Sequence, residues 1–541
     1  MLKSFGRNSI SMKIASKNPK KLVPLPASNN SASPPPPREW EEKAIRHTIL
    51  LSISVLLSQF SLFLRGFIAA KFLGPSLYGL WHGLRVIINN SEYSCMGLYE
   101  GMRREVPFYR GKGDSRKAVE MVATSFFSAL GLVSLVSFLL IVISALFSPR
   151  LDPSTLYCLW IVAGVLIARQ LCLFFIKKFE SEGRFFSRSK MDLISVWLGV
   201  ILSLGLMLLF RLHGFLIGIL LGYLFAFLVT FKGESPIEKS DFRLETGIEL
   251  MKVGLPIILI GLMLSVLRSL DKLNLLYFLD RTQLGYYGIA LVATDPILLF
   301  PRNLKSVLYP RLLETYGEKG DKRYLKGFLF EPSLILVFST LLLIGAIYCI
   351  VPTGVRIFLP LYTLSIPSIK ILAIGSYFAA LSEIPLSILI GINLQKKLIP
   401  FLLGAIALLG ISCSAALSLG YGIEAVAVSS SFTHFLLTST ILWLTATQFH
   451  QSTREKIRLF SSIYLPLLYV LTVLLLLDFG IGIPEQGFSQ MLLVTALRFL
   501  IFLSSLIPIF FYVNRRTHII DRFLKAFRVK DGITRGAFLE D

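Results

Sequence analysis

The sequence predicts an all-α polytopic membrane protein of about fourteen transmembrane helices: two pseudo-symmetric six-helix bundles plus two extra C-terminal helices. Three observations predict it. Apolar residues make up 54% of the chain and charged ones only 16%, far from the balance of a soluble domain. Apolar stretches of about 20 residues, long enough to cross a bilayer core as helix, recur along nearly the whole length. The chain also repeats itself. Residues 109–114 read YRGKGD and 316–321 read YGEKGD; upstream, LGPSLYG (73–79) is matched by LGYYG (284–288). The shared elements recur in the same order about 210 residues apart, as expected of two similar halves in the same orientation, which commonly enclose a transport path at their interface.

The spans follow in order. Span 47–70 lies before the first Leu-Gly element. Span 78–99 is polar for a membrane segment, carrying Asn89, Asn90 and Ser91. Spans 121–147 and 156–176 follow the first Lys-Gly-Asp turn. Spans 191–210 and 213–231 are separated only by Arg211 and Leu212. The half boundary falls in the connection 232–249. Spans 250–270, 286–308, 329–351, 368–391, 398–418 and 422–446 then repeat the six-helix order. Spans 459–477 and 491–512 have no counterpart. Residues 45–235 and 236–449 are thus the two bundles, and 450–512 holds the appended pair. Pro256, Pro296, Pro301 and Pro385 allow bending of the helices that carry them. No connection is long enough to fold a soluble domain, which needs roughly 50 residues.

The net charge of +22 does not call for nucleic acid. With the amino terminus inside, most of the 55 Lys and Arg fall in the tails and the even-numbered connections. Lys71, Arg150, Arg211, Lys272, Arg281, Arg356 and Lys370 fall beside the odd ones. This positive-inside pattern puts both termini in the cytoplasm. Residues 1–44 read as a disordered cytoplasmic tail without the apolar region of a secretory signal. Residues 513–541 read as a basic tail, with a short amphipathic helix at Ile519–Phe527 on the anionic inner leaflet.

Ionisable groups inside spans cost about 2.5–3.5 kcal/mol each at a helix centre and tend to face a cavity or a partner. Arg85 and Glu92 are seven apart on span 78–99, on one face, with Asn89 a turn from Arg85. The repeat offset sets Arg85 opposite Thr294, beside Asp295. These groups are expected to line one cavity between the halves. Arg65, Arg85 and Arg268 form a cationic pocket for an anionic headgroup, since a guanidinium donates two parallel hydrogen bonds to phosphate. Glu92, Asp271, Asp295 and Glu383 tune it or bind a coupling cation. Arg268 and Asp271 also fit a local i,i+3 pair, and Arg65 also fits snorkelling outward. Arg169 lies within its span; Glu424 and Arg498, near span ends, read as structural.

The two Lys-Gly-Asp loops are good turn chemistry, with glycine free to take positive φ and Asp able to cap the next helix. No phosphate-binding G-x-x-x-x-G-K-[ST] spacing is present. The five cysteines, Cys95, Cys158, Cys172, Cys349 and Cys413, and the six histidines lack metal or disulfide spacing. No metal, cofactor or catalytic residue is expected.

RGFIAAKFLGPSLYGLWHGLRVI (65–87) and GLYEGMRREVPFYRGKGDSRKA (97–118) resemble the amino-terminal signature of Wzx-type polysaccharide (O-antigen) flippases. These belong to the multidrug/oligosaccharidyl-lipid/polysaccharide (MOP) exporter superfamily. GLPIILIGLMLSVLRSLDKL (254–273), with LGYYGIA (284–290) and YPRLLETYGEKGD (309–321), is similar to the second-half signature. The resemblance implies a non-enzymatic transporter in the bacterial cytoplasmic (inner) membrane. It would flip polyprenyl-pyrophosphate-linked oligosaccharide to the outer leaflet by alternating access, for O-antigen (lipopolysaccharide) or capsule biosynthesis. Its implied partners are the lipid-linked oligosaccharide, membrane lipids, and a polysaccharide polymerase with other assembly proteins. The alternatives are a peptidoglycan-precursor flippase or drug/cation antiporter of the same superfamily, or a membrane polysaccharide polymerase or ligase. Those enzymes usually carry a sizeable external loop or soluble domain for the acceptor, and this chain has neither.

Overall fold

A computed structural model describes residues 37–517, apart from 235–236, 238–240, 320, 450–451, 483 and 485–486. The expected amino tail, for the most part, and the Ile519–Phe527 helix lie outside the described residues. The architecture below is that of the described residues of Thr48–Asp541. The helices are α1 (Pro37–Asn90), α2 (Leu98–Gly111), α3 (Ser115–Leu146), α4 (Pro153–Ser181), α5 (Phe185–Lys232), α6 (Leu244–Phe278), α7 (Arg281–Thr294) and α8 (Pro296–Lys319). They continue with α9 (Lys326–Phe358), α10 (Ile366–Gly391), α11 (Ile399–Ser418), α12 (Ile423–Thr447), α13 (Thr453–Gly480), α14 (Phe488–Ser505) and α15 (Ile507–Thr517). No strand occurs among the described residues.

Eleven helices are long and apolar enough to cross a bilayer, and the bent pair α7–α8 makes a twelfth. Two of these are folded double. α5 has 48 residues, about twice what one crossing needs, and it turns back at Phe210 and Arg211, where φ reaches 48°. Its arms run antiparallel in backbone contact: a Cβ on Gly214 would lie 2.0 Å from the Leu206 carbonyl oxygen, and one on Gly218 or Gly222 would meet Ser203 or Gly199. α1 turns at Gly74 (φ 74°) and Pro75, bringing Arg65 within 6.0 Å of the Trp81 ring. Counting each doubled helix as two spans gives the fourteen expected from the sequence.

The expected span 78–99 is not continuous. α1 ends at Asn90, Ser91–Cys95 form a 3₁₀ turn, and Met96 and Gly97 take φ of 47° and 85°. The chain restarts as the amphipathic α2, where the sequence had suggested only a connection. The break lets backbone meet backbone. A Cβ on Gly97 would lie 2.5 Å from the Gly254 carbonyl carbon of α6, and one on Gly101 2.3 Å from the Leu250 oxygen. Around it, Tyr93 donates to the Gly261 carbonyl at 2.8 Å, and Asn90 exchanges hydrogen bonds with Ser265 (2.9 Å) and Ser269 (3.2 Å). In the second half, α7 and α8 meet at a 46° bend, beside Pro296, which has no amide hydrogen to continue the ladder. The second span of each half is therefore interrupted, a pattern that in transporters marks the binding region.

The repeated Leu-Gly elements touch. A Cβ on Gly79 would lie 1.7 Å from the Arg281 oxygen, and one on Gly285 2.0 Å from the Pro75 oxygen; only glycine lets α1 and α7 cross so closely. α10 packs on α7, α8, α9 and α12, while α6 packs on α2 and α3 as well as α11 and α12. The apolar window of α10 is 67% buried against 17% for α3, so α10 is central and α3 presents Leu135, Phe138 and Leu139 outward, as a lipid-facing helix does. α13, α14 and α15 lie against α9. There Asp478 accepts from Tyr348 (2.6 Å), Lys370 (2.6 Å) and the buried Arg498. The first Lys-Gly-Asp loop is a turn, with Gly113 at φ 81° and Asp114 capping α3 by accepting from the Lys117 amide (2.9 Å); in the second, Asp321 accepts from the Arg323 amide (2.9 Å).

Candidate functional site: a charged intramembrane cavity

A cavity of about 560 Å³ is lined by both arms of α1 and by α6, α7, α8, α10 and α12. Helical spacing aims the polar side chains at it. Arg85 and Asn89, four apart, come from the second arm of α1. Arg268 and Lys272 come from α6, with Asp271 between them. Arg302 and Lys305, three apart, come from α8, beyond the bend. Glu383 comes from α10, and Ser430 and His434, again four apart, from α12. Asp295 lies on the wall at the α7–α8 break itself, next to Thr294. Arg85, Arg268, Lys272, Arg302 and Lys305 outnumber Asp271, Asp295 and Glu383, so the wall is net positive.

The charges differ in how they are satisfied. Lys305 Nζ lies 3.0 Å from Glu383 Oε2, and Arg302 Nε 4.0 Å from Glu383 Oε1. Lys272 Nζ lies 2.9 Å from Asp271 Oδ1, while Asp271 Oδ2 accepts from the Tyr287 hydroxyl at 2.8 Å. The local Arg268–Asp271 pair is not formed; Arg268 Nε donates to its own helix at the Leu264 carbonyl, 3.2 Å away. Among the described residues, Arg85, Arg268 and Asp295 make no salt bridge while lining the cavity.

Of the residues singled out in the sequence, Arg85, Arg268, Asp271, Asp295 and Glu383 sit together on the wall. Arg65 and Glu92 do not. The Arg65 guanidinium lies 6.0 Å from the Trp81 ring and 5.5 Å from the Phe215 ring, held by cation–π attraction. Glu92 lies in the 3₁₀ turn of the break, 3.7 Å from Arg169, which also donates to Ser91 at 3.0 Å. Lys272, Arg302, Lys305, His82 and His434 are on the wall and were not singled out. Lys272 reads in the sequence as a connection residue, and Arg302 and Lys305 as the basic inner end of a span. The paired Pro296 and Pro301 were the available signal that this segment is displaced.

A second charged region joins the first-half helices at the end expected to face the cytoplasm. Glu100 binds Arg103 (2.6 Å) and Lys177 (2.9 Å), Glu180 binds Arg188 (2.7 Å), and Glu182 binds Arg110 (3.1 Å). Glu234 binds Lys178 and Arg184, each at 2.7 Å. Burial pushes the Glu234 carboxyl up, but hydrogen bonds and charge from Arg184 and Lys178 more than offset it and hold it below its ordinary value. At the opposite end, Arg281 lies 2.6 Å from Asp152. Its hydrogen bond, with others from Thr155, holds Asp152 down at about 2.

Residues 112–325 match the model of a family described as polysaccharide biosynthesis protein. No curated protein matches the sequence. Among solved structures, the fold is similar to that of lipid II flippase MurJ in an inward closed conformation. The identity is 17% and the TM-score 0.59, over 84% of this chain and 98% of that one. It is also similar to an inward-facing multidrug resistance MATE family transporter of the MOP superfamily, with 16% identity and TM-score 0.59, over 73% and 96%. A third likeness is to a MOP superfamily transporter from Pyrococcus furiosus described by a binding pocket of reverse polarity, with 15% identity and TM-score 0.54, over 75% and 95%. At these identities the likeness is one of fold. With the family match, it bears out the resemblance read in the sequence: this is a multi-pass membrane protein with the architecture of MOP-superfamily transporters.

Proposed function

We propose, starting from that transporter fold and the polysaccharide-biosynthesis match, that the protein flips a polyprenyl-pyrophosphate-linked oligosaccharide across a bacterial cytoplasmic membrane. The cargo serves surface polysaccharide, either O-antigen or capsule. The observation that carries this reading is the net positive cavity with Arg85 and Arg268 on its wall, neither in a salt bridge among the described residues. An unpaired guanidinium at membrane depth is costly, and a phosphate ester is the partner whose geometry its fork matches. Interrupted helices beside the cavity and an interface between repeats supply what alternating access needs. Both termini face the cytoplasm in this reading, following the charge pattern.

The test is deletion of the gene followed by analysis of lipid-linked saccharide. Retention of the complete lipid-linked unit on the cytoplasmic leaflet, with loss of surface glycan, is the expected outcome. Unchanged surface glycan with no accumulation would refute the reading. A second reading, transport of a peptidoglycan precursor, is favoured by the larger share of this chain that aligns with the lipid II flippase than with the MATE transporter (84% against 73%). Rescue of a strain depleted of its lipid II flippase separates the two.

A further inference from the structure

The cavity holds two kinds of cation, and the difference bears on how the cargo of the transport reading above is gripped and released. Arg85 and Arg268 make no salt bridge among the described residues. Arg302 and Lys305, one turn apart on α8, are already occupied. Glu383 reaches across from α10 with one carboxylate oxygen 3.0 Å from Lys305 Nζ and the other 4.0 Å from Arg302 Nε. A carboxylate that spans two cations with its two oxygens makes the contacts that two oxygens of a phosphate would make. The open and the occupied cations line the same cavity, and Arg268 lies within electrostatic reach of Arg302 and Glu383.

We infer that Glu383 is an internal placeholder for the second phosphate of that diphosphate cargo. One phosphate docks on Arg85 and Arg268. The other takes Arg302 and Lys305 from Glu383, whose carboxylate is left to the water of the cavity. No bond is made or broken; one ion pair replaces another. The exchange has a physical purpose. A carrier must return empty, and two bare cations at membrane depth would penalise that state. The same cations, if free, would hold a diphosphate too tightly to let it go, and a transport site must bind weakly enough to release. Glu383 levels the two states.

The test uses the full chain in lipid nanodiscs and calorimetric titration with inorganic phosphate, inorganic pyrophosphate and farnesyl diphosphate. Glu383→Gln should tighten pyrophosphate by about tenfold and change phosphate by no more than about twofold, in the range of ordinary site-to-site couplings. Lys305→Gln, which keeps the inference testable if the first variant folds poorly, should weaken pyrophosphate by about tenfold with phosphate unchanged. Farnesyl diphosphate should follow the same order and bind more tightly than pyrophosphate. The reverse preference would assign the exchange to a free diphosphate and overturn the lipid-borne cargo. If Glu383→Gln leaves pyrophosphate unchanged or weaker while Arg85→Ala still weakens it, the placeholder fails and the transport reading stands. If no diphosphate binds the wild-type chain while gene deletion still abolishes surface glycan, the placeholder fails and the transport reading stands; if deletion leaves surface glycan unchanged, the transport reading itself fails.

Discussion

The charged edge of the first half, around Glu100 and Glu234, and the wall of the cavity use the same residue types to opposite ends. At the edge, Glu100, Glu180, Glu182 and Glu234 each hold at least one cation, and α2, α4 and α5 are tied together through them. On the wall, Arg85, Arg268 and Asp295 hold none among the described residues. A charge closed onto a partner fixes helices, and removing one member strands the other. A charge left open on the cavity wall is available to a partner that arrives. At the edge these four carboxylates are all closed onto cations, whereas the wall carries both closed pairs, such as Lys305 with Glu383, and open charges.

The largest effect should come from the open side. Arg85→Ala is expected to remove export by on the order of 100-fold, from a loss of about 2–5 kcal/mol for truncating one partner of a buried charge contact. The amount of inserted protein and its melting temperature should stay at wild-type values. Quantitative surface-glycan staining against membrane protein level measures both, and persistent export would dissolve the distinction. Glu234→Ala attacks the closed side. It strands Lys178, whose side chain is 9% exposed, and should cost about 3 kcal/mol of stability while export per folded molecule is retained. Thermal unfolding in detergent checks it; equal loss of both would mean the edge also serves transport.

Gly285→Ala sharpens the boundary between the regions. Its methyl would sit 2.0 Å from the Pro75 oxygen, so α1 and α7 must separate, at about 1–3 kcal/mol. A shift in cysteine cross-linking between the two helices would report the separation, and an unshifted pattern would refute the contact. Asp152→Asn should be the mildest. The pair with Arg281 is substantially exposed, which limits it to about 0–1 kcal/mol. Because Asp152 is held at about 2, below its unfolded value, its contribution is complete above the ordinary carboxylate range and is lost as pH falls through about 2. The difference in melting temperature between wild type and variant should be present at pH 7 and vanish near pH 2.

The spans were legible because lipid imposes one rule on every crossing segment: long, apolar and helical. The Leu-Gly repeat reported the pairing of α1 with α7, since a glycine that admits a neighbouring backbone has no substitute. The interruption at Ser91–Gly97 was not legible as a break, although Asn89, Asn90 and Ser91 marked the place. Polarity in a span signals water or protein nearby, and says nothing about where the ladder stops. The cavity was legible in Arg85 and Asp295, whose helices the repeat brings together. Arg65 misled because a nearby Trp81 and Phe215 satisfy it, a contact across a helical turnaround and between spans that linear spacing does not encode. Lys305 and Arg302 were missed because the bend at Asp295 carries them to the wall.

The doubled α5 bears on how the chain enters its membrane. Its arms touch at Gly214, Gly218 and Gly222, with Arg211 exposed at the fold. A single helix delivering an arginine to the far side must drag that charge through hydrocarbon, at about 2.5–3.5 kcal/mol where the helix centre passes. Two apolar arms already packed against each other can leave the insertion machinery as one hairpin, so that the transfer of both segments offsets the passage of one charge. Biogenesis of the first half should accordingly seat both arms in one step at this point. Truncation within 213–231 would leave 191–210 stranded outside the bilayer, whereas a stop after Lys232 would leave both arms seated.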